Sequence, residues 1–101
     1  TVLAVEAFEG TNECVQRGGG LGKGKNVKLV KVSKPNQDLR FDVPVVGPHT
    51  MRACQEAGVS AVIIEAHKTL VLGMEEVKGL CEKHKISLHA VDAENPVTGA
   101  R

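Results

Sequence analysis

The sequence predicts a single compact α/β domain with a mixed sheet of about five to six short strands and three helices. Three observations predict this fold. A chain of 101 residues is long enough for one hydrophobic core. Short runs rich in β-branched residues alternate with segments of helical periodicity, and Gly or Pro stands between them. The composition, with 42% hydrophobic and 25% charged residues, is that of an ordinary globular domain.

The first half of the chain predicts two strands around a short helix. Residues 2–5 are apolar and predict a buried strand, and Thr11 is placed to cap a helix over residues 12–17. Five glycines between residues 18 and 24 predict a flexible connector, because glycine favours neither helix nor strand. The run "NVKLVKVS" then predicts a second strand, and Pro44 allows at most an edge strand after it.

The second half predicts two helices and three strands. Pro48 suits the first turn of a helix that ends at Ala57, with Gly58 as its stop. The runs "SAVIIEA" and "TLVL" predict strands joined at "HK" by a hairpin or a tight bend. Apolar residues at helical spacing predict a helix over residues 74–83, followed by the strand "ISLHAV" and a tail over residues 92–101.

Composition argues against several functions. Only 2% of the residues are aromatic, so stacking platforms for nucleic acid are not expected. The three cysteines are far apart in the sequence and predict reduced thiols, not a disulfide framework or a zinc site. The chain enters an apolar run at once, without an initiator Met, and we expect it to be part of a longer protein.

A run of lysines follows the glycines with no acid among them: Lys23, Lys25, Lys28, Lys31 and Lys34. The run predicts either a solvated face or an electrostatic attractor for a polyanionic ligand. The neighbouring "GGLGKGKN" is not a phosphate-binding loop, because Asn26 replaces the hydroxyl residue and a strand follows where a helix is required.

The stretch "KPNQDLRFDVP", residues 34–44, carries the most chemistry. In an extended chain Asp38, Arg40 and Asp42 point to one side, because side chains alternate. Such a group could grip phosphate through arginine while the acids hold magnesium or activate water, and an exposed, salt-bridged strand edge is the alternative. The acids of "EAFEGTNE" surround a predicted helix start, where they could serve either a phosphate–magnesium site or ordinary capping.

Three segments, "AVEAFEGTNE", "VKVSKPNQDLRFDVPVVGPHTM" and "AGVSAVIIEAHKTLVL", resemble the C-terminal domain of the LpxI-type UDP-2,3-diacylglucosamine pyrophosphatases, over residues 1–91. The resemblance implies a magnesium-dependent hydrolase of bacterial lipid A biosynthesis that releases UMP and 2,3-diacylglucosamine 1-phosphate, called lipid X. It also implies a cytoplasmic enzyme, and a site that is completed by an N-terminal domain, without which this domain is inactive.

The resemblance also implies roles for particular residues. Asp42 or Asp38 is the expected catalytic group, and Asp38, Asp42 and Glu9 are the expected magnesium ligands. The expected substrate and phosphate contacts are Lys34, Gln37, Arg40, Thr11 and Lys31. Asn12 departs from the family pattern, which has aspartate there, and so leaves open a non-catalytic module that binds phosphate or a nucleotide sugar.

The diacylated substrate implies peripheral contact with the inner membrane, to which the lysine run would contribute through anionic headgroups. A homodimer is left open by the sequence, and nucleic acid is not an expected partner.

Overall fold

The computed structural model describes residues 2–6, 10–32 and 44–92. These residues form three helices and five strands, in the order α1 (Thr11–Leu21), β1 (Val27–Lys31), β2 (Val45–Val46), α2 (Pro48–Ala57), β3 (Val59–Glu65), β4 (Leu70–Val71), α3 (Met74–His84) and β5 (Ser87–Val91). The predicted α/β class, its three helices and its strand number are therefore confirmed.

The described strands form two small sheets, with strand orders β1-β3-β5 and β2-β4. Every described pair is parallel, where the sequence predicted a mixed sheet. Parallel pairing follows from the connections, because α2 precedes β3 and α3 precedes β5, so that each helix crosses over before the next strand of the larger sheet begins.

Of the two predicted connections between β3 and β4, the tight bend is confirmed and the hairpin is wrong. A turn over residues 66–68, in which His67 has φ 67°, leads the chain away from β3. β4 then pairs with β2, and the backbone N–H of Leu70 donates to the carbonyl oxygen of Pro44 at 2.8 Å. The run that contains β4 therefore pairs with β2, where the chain re-enters the described structure at Pro44, and does not pair with β3.

The core lies between the larger sheet and the helices. α2 packs between α1 and α3 and also contacts β3. Its residues Met51 and Cys54 are fully buried and belong to one apolar cluster with residues from β1, β3 and α3. Along β1, Val27 and Leu29 belong to or pack against this cluster, whereas Lys28 and Val30 are exposed, as alternation in a strand requires.

Residues 2–6 do not form the predicted buried strand. They have no regular secondary structure, and Val2 and Val5 are 78% and 70% exposed. The guanidinium of Arg17 in α1 donates to the carbonyl oxygen of Val5 at 3.2 Å. The segment is thus held by a helix side chain, without the strand ladder that its composition favoured.

The predicted end of the first helix at residue 17 is also wrong, and the connector that was predicted from residue 18 begins only at Gly22. α1 continues through Gly18, Gly19 and Gly20. A Cβ at Gly19 would lie only 2.4 Å from the carbonyl oxygen of Ala57, so α1 and α2 are close because this residue has no side chain. Gly58, with φ 79°, ends α2 and packs tightly on Gly24. The glycines are required for packing here, and this requirement overrides their low helix propensity.

Candidate functional site at the carboxyl ends of β1 and β3

The described polar residues of interest lie where β1 and β3 end. In open α/β sheets, ligands bind outside the carboxyl ends of the strands. β1 ends at Lys31, which pairs in register with Ile64, and β3 ends one residue later at Glu65. Residues 33–43, which include most of the chemically rich stretch, connect the end of β1 to Pro44. This edge of the sheet is therefore the candidate site.

A chain of hydrogen bonds joins Glu6, Thr11 and Lys31, which we call the polar triad. The ammonium Nζ of Lys31 donates to Thr11 Oγ1 at 3.0 Å, and the same hydroxyl donates to Glu6 Oε1 at 2.9 Å. One hydroxyl can do both, because it has one hydrogen and two lone pairs. The carboxylate thus orients the hydroxyl, and the hydroxyl holds the lysine at the end of β1.

The triad follows from local structure. Side chains alternate between the two faces of a strand, so Lys31 points to the same face of β1 as Val27 and Leu29. That face packs against the helices. Thr11 is the first residue of α1 and follows Gly10, whose φ of 93° suits glycine. The predicted N-cap role of Thr11 is wrong: Gly10 is the N-cap residue and α1 has no side-chain cap, because the Thr11 hydroxyl bonds the triad instead.

A second polar group lies at the end of β3. Glu65 is only 7% exposed, and its Oε2 lies 3.6 Å from the ammonium of Lys68. In the described part of the chain, the buried Oγ1 of Thr69 has no hydrogen-bond partner. Sequence reasoning missed Glu65, although an acid that directly follows the apolar run "AVII" was a usable signal. The ion pair between Glu65 and Lys68 spans the turn over residues 66–68 that leads to β4.

A cavity of about 450 Å³ opens beside the triad. It lies between residues 2–6, the first half of α1 and β1, and its lining is mostly apolar. Leu3, Val15 and Leu29 contribute to its walls, and all three triad residues also line it. The cavity therefore has mostly apolar walls and one polar end, which holds the Lys31 ammonium and the Glu6 carboxylate.

The structure brings together two of the predicted site residues, Thr11 and Lys31. The others lie outside the described residues, and their roles stay predictions: Glu9, Lys34, Gln37, Asp38, Arg40 and Asp42. Lys23 and Lys25 are exposed before the start of β1, and Lys28 is exposed on the strand. Lys28 and Lys31 line the same cavity, and Lys34 lies outside the described residues.

Across the described ranges, no cluster of three or more His, Cys, Asp or Glu residues could hold a metal ion. The expected magnesium ligands lie outside those ranges, so the magnesium site stays a prediction. None of the described helices is both long enough and apolar enough to span a membrane.

The buried thiol of Cys54 is unsuited to nucleophilic attack. Burial, and to a lesser degree the charge of Cys81, raise the pKa of Cys54 to about 12. The pKa of Cys81 is also raised, by burial first and by Glu82 second. The three cysteines are free thiols, as the sequence predicted. Since the thiolate is the reactive form, Cys54 serves packing.

An open parallel α/β sheet with the polar triad at its carboxyl edge has the architecture of the large class of domains that bind ligands at that edge. The particular family is shown by comparison. Residues 1–89 match the family model described as "LpxI C-terminal domain", and the chain belongs to that family. The resemblance noted from the sequence is therefore confirmed.

One curated relative is "UDP-2,3-diacylglucosamine pyrophosphatase LpxI" of Caulobacter vibrioides. The two sequences are 32% identical over 100 residues, which cover 92% of this chain and 36% of the relative. The chain thus spans about a third of the relative's length.

Proposed function

We propose that this domain supplies the phosphate-handling edge of a magnesium-dependent UDP-2,3-diacylglucosamine pyrophosphatase. The reaction hydrolyses the phosphoanhydride to UMP and 2,3-diacylglucosamine 1-phosphate. The observation that carries the proposal is the hydrogen bond from Lys31 to Thr11 at the carboxyl end of β1. It holds an ammonium three residues before the family stretch that begins at Lys34. The family membership and the name of the relative support the choice of substrate.

The residues of this edge suit a diphosphate. Lys31 has three N–H donors, of which one is used by Thr11, and the other two can meet phosphate oxygens. Lys34 and Arg40 would add positive charge, and Arg40 can bind a phosphate through two parallel hydrogen bonds. Together they stabilise the negative charge that shifts onto the leaving phosphate.

The donor atoms of the proposed site are chemically suited to magnesium. Glu9, Asp38 and Asp42 would offer carboxylate oxygens, which are the ligands that magnesium prefers. When bound, the ion would screen the diphosphate charge and lower the pKa of a coordinated water.

The proposed chemical step is direct attack by water. The water oxygen bonds to one phosphorus while the bridging P–O bond breaks, and the bridging oxygen leaves with the other phosphate. Asp42, or Asp38, takes the proton that the water loses. The pKa of Cys54 and that of Cys81 are both raised by burial, so neither of these thiols is activated as a competing nucleophile.

The test uses the intact protein that contains this domain. UMP release from UDP-2,3-diacylglucosamine is measured with magnesium and with EDTA, for wild type, Asp38→Ala and Asp42→Ala. We expect turnover only with magnesium, and its loss in at least one aspartate variant. The variant that loses turnover while keeping the wild-type melting temperature identifies the key carboxylate.

A folded wild-type protein that binds the substrate with magnesium and releases no UMP would overturn the proposal. It would favour a non-catalytic module that binds a nucleotide sugar, for which Asn12 is the sequence signal. Asn12 is exposed in the first turn of α1, next to Thr11. In that case the Asn12→Asp variant, which restores the family residue, is the next protein to assay.

We also propose that the protein works in the cytoplasm at the membrane surface, because its substrate is diacylated. Lys23, Lys25 and Lys28 are exposed and would face anionic headgroups. Sedimentation with vesicles of anionic phospholipid should decrease when the three are changed to Gln. Unchanged sedimentation would remove the lysines from this role.

A further inference from the structure

We infer that the cavity beside β1 binds one acyl chain of an anionic amphiphile, with the phosphate of that amphiphile at the polar triad. This inference rests on the proposed function for the identity of the natural ligand. It assigns a location within this domain to one lipid chain of the substrate.

The shape and walls of the cavity support a chain-like apolar occupant. Its volume of about 450 Å³ falls within the usual range of small-molecule sites, about 300–1,000 Å³. Most of its lining is aliphatic, with Leu3, Val15, Val27, Leu29 and Val59 among the lining residues. Such walls offer few hydrogen-bond partners to water. A bound hydrocarbon chain would bury them, and the burial of apolar surface is favourable.

The polar end of the cavity selects the headgroup. Lys31 lines the cavity and its ammonium is held by Thr11. Glu6 also lines this end, but its Oε1 accepts the hydrogen of the Thr11 hydroxyl, which draws the carboxylate toward the hydroxyl. An anionic headgroup can therefore meet the Lys31 ammonium, which keeps two N–H donors beyond the one that it gives to Thr11.

The residues at the opening of the cavity are apolar, which is consistent with entry of a lipid chain. Val2 and Val5 line the cavity and remain 78% and 70% exposed, so an apolar surface leads into it from outside. Exposed apolar surface beside a cavity is typical of a ligand-binding groove. The segment is held to α1 by the bond between Arg17 and Val5, so this wall is tied to a helix.

Two glycines of α1 give a matched pair of test variants. Gly18 lines the cavity, and a Cβ there would lie 3.5 Å from the Cβ of Ala4, in ordinary contact, so Gly18→Leu is expected to fill the space without a backbone clash. Gly20 is exposed on the same helix, and nothing lies within 4 Å of a Cβ there. Gly20→Leu is therefore the control for the substitution itself.

The experiment is calorimetric titration of the intact protein with monomeric dodecanoyl lysophosphatidic acid, below its critical micelle concentration. Glycerol 3-phosphate represents the headgroup without the chain, and monododecanoyl glycerol represents the chain without the charge. Gly18→Leu should weaken binding of the lysophosphatidic acid by at least about tenfold, and Gly20→Leu should not. Lys31→Met should weaken it by about tenfold and leave monododecanoyl glycerol unaffected.

Wild-type affinity in a Gly18→Leu variant that keeps the wild-type melting temperature would overturn the inference. If Gly18→Leu does not fold, a photoreactive acyl probe on the wild-type protein replaces it. Crosslinks within residues 2–6 or 27–31 support the site, and crosslinks confined to other residues overturn it. The UMP assay separates the two proposals: turnover without acyl-probe binding refutes only this inference, and probe binding without turnover refutes only the pyrophosphatase function.

Discussion

Replacing Gly19 by Ala should destabilise the fold, because α1 and α2 touch at this residue. A Cβ at Gly19 would lie 2.4 Å from the carbonyl oxygen and 2.6 Å from the Cβ of Ala57. Neither atom is the end of a flexible side chain, so the helices must separate. Overpacking of this kind costs about 1–3 kcal/mol, and the higher helix propensity of Ala returns about 0.5–1 kcal/mol. The expected net loss is therefore up to about 2.5 kcal/mol.

Thermal unfolding followed by circular dichroism measures the effect. For a domain of this size, 1 kcal/mol shifts the melting temperature by about 4–8 °C, so Gly19→Ala should melt several degrees below wild type. Gly20→Ala is the matched control, since it makes the same chemical change one residue later with nothing within 4 Å. It should melt at or above the wild-type temperature. If Gly19→Ala were as stable as Gly20→Ala, the close approach of α1 to α2 would be refuted.

Three further stability predictions concern buried and exposed side chains, all measured by urea unfolding. Met51 is fully buried, so Met51→Ala should cost about 2–5 kcal/mol, and a loss below 1 kcal/mol would place it outside the core. The ion pair of Arg52 with Glu76 joins side chains that are 51% and 53% exposed, so Arg52→Ala should cost less than about 1 kcal/mol. The pKa of Cys54 is raised from 9.0 to about 12 by burial, so the unfolded thiol loses its proton at lower pH than the folded one. Stability should therefore fall between these two pH values, by at most about 1.4 kcal/mol per pH unit, and Cys54→Ala should lack this part of the slope.

Local sequence was sufficient to predict the elements whose first and last residues are marked by the residues next to them. α2 begins at Pro48, as predicted, because proline suits the first turn, and it ends where Gly58 adopts a positive φ. β3 and β5 were predicted from short runs of β-branched and apolar residues. In these cases neighbours in the sequence decide the structure.

Tertiary contacts decided the elements that were predicted wrongly. Gly19 is helical because α2 approaches it closely, and nothing local to residues 18–20 indicates that neighbour. β4 pairs with β2, and this choice depends on where the chain returns at Pro44. Residues 2–5 have strand composition, but the described contact of Val5 is with an α1 side chain.

The same distinction holds for the candidate site. Thr11 and Lys31 were named in advance, but the hydrogen bond between them spans 20 residues and depends on the packing of α1 beside β1. Glu6 was noted only as one acid near a helix start, and its role as the partner of Thr11 required the structure. Glu65 was missed although it directly follows an apolar run, because only the packing of β3 shows that its carboxylate is buried.

The most direct test of the account compares two lysine variants of the intact protein in the UMP-release assay. Lys31→Met removes the ammonium that Thr11 holds, and Lys25→Met removes an exposed ammonium before β1. A hydrogen bond to a charged group contributes about 1.5–3 kcal/mol, so we expect kcat/KM to fall by about 10- to 100-fold in Lys31→Met only. Equal kcat/KM values for Lys31→Met, Lys25→Met and wild type would contradict the claim that the carboxyl end of β1 handles the phosphates.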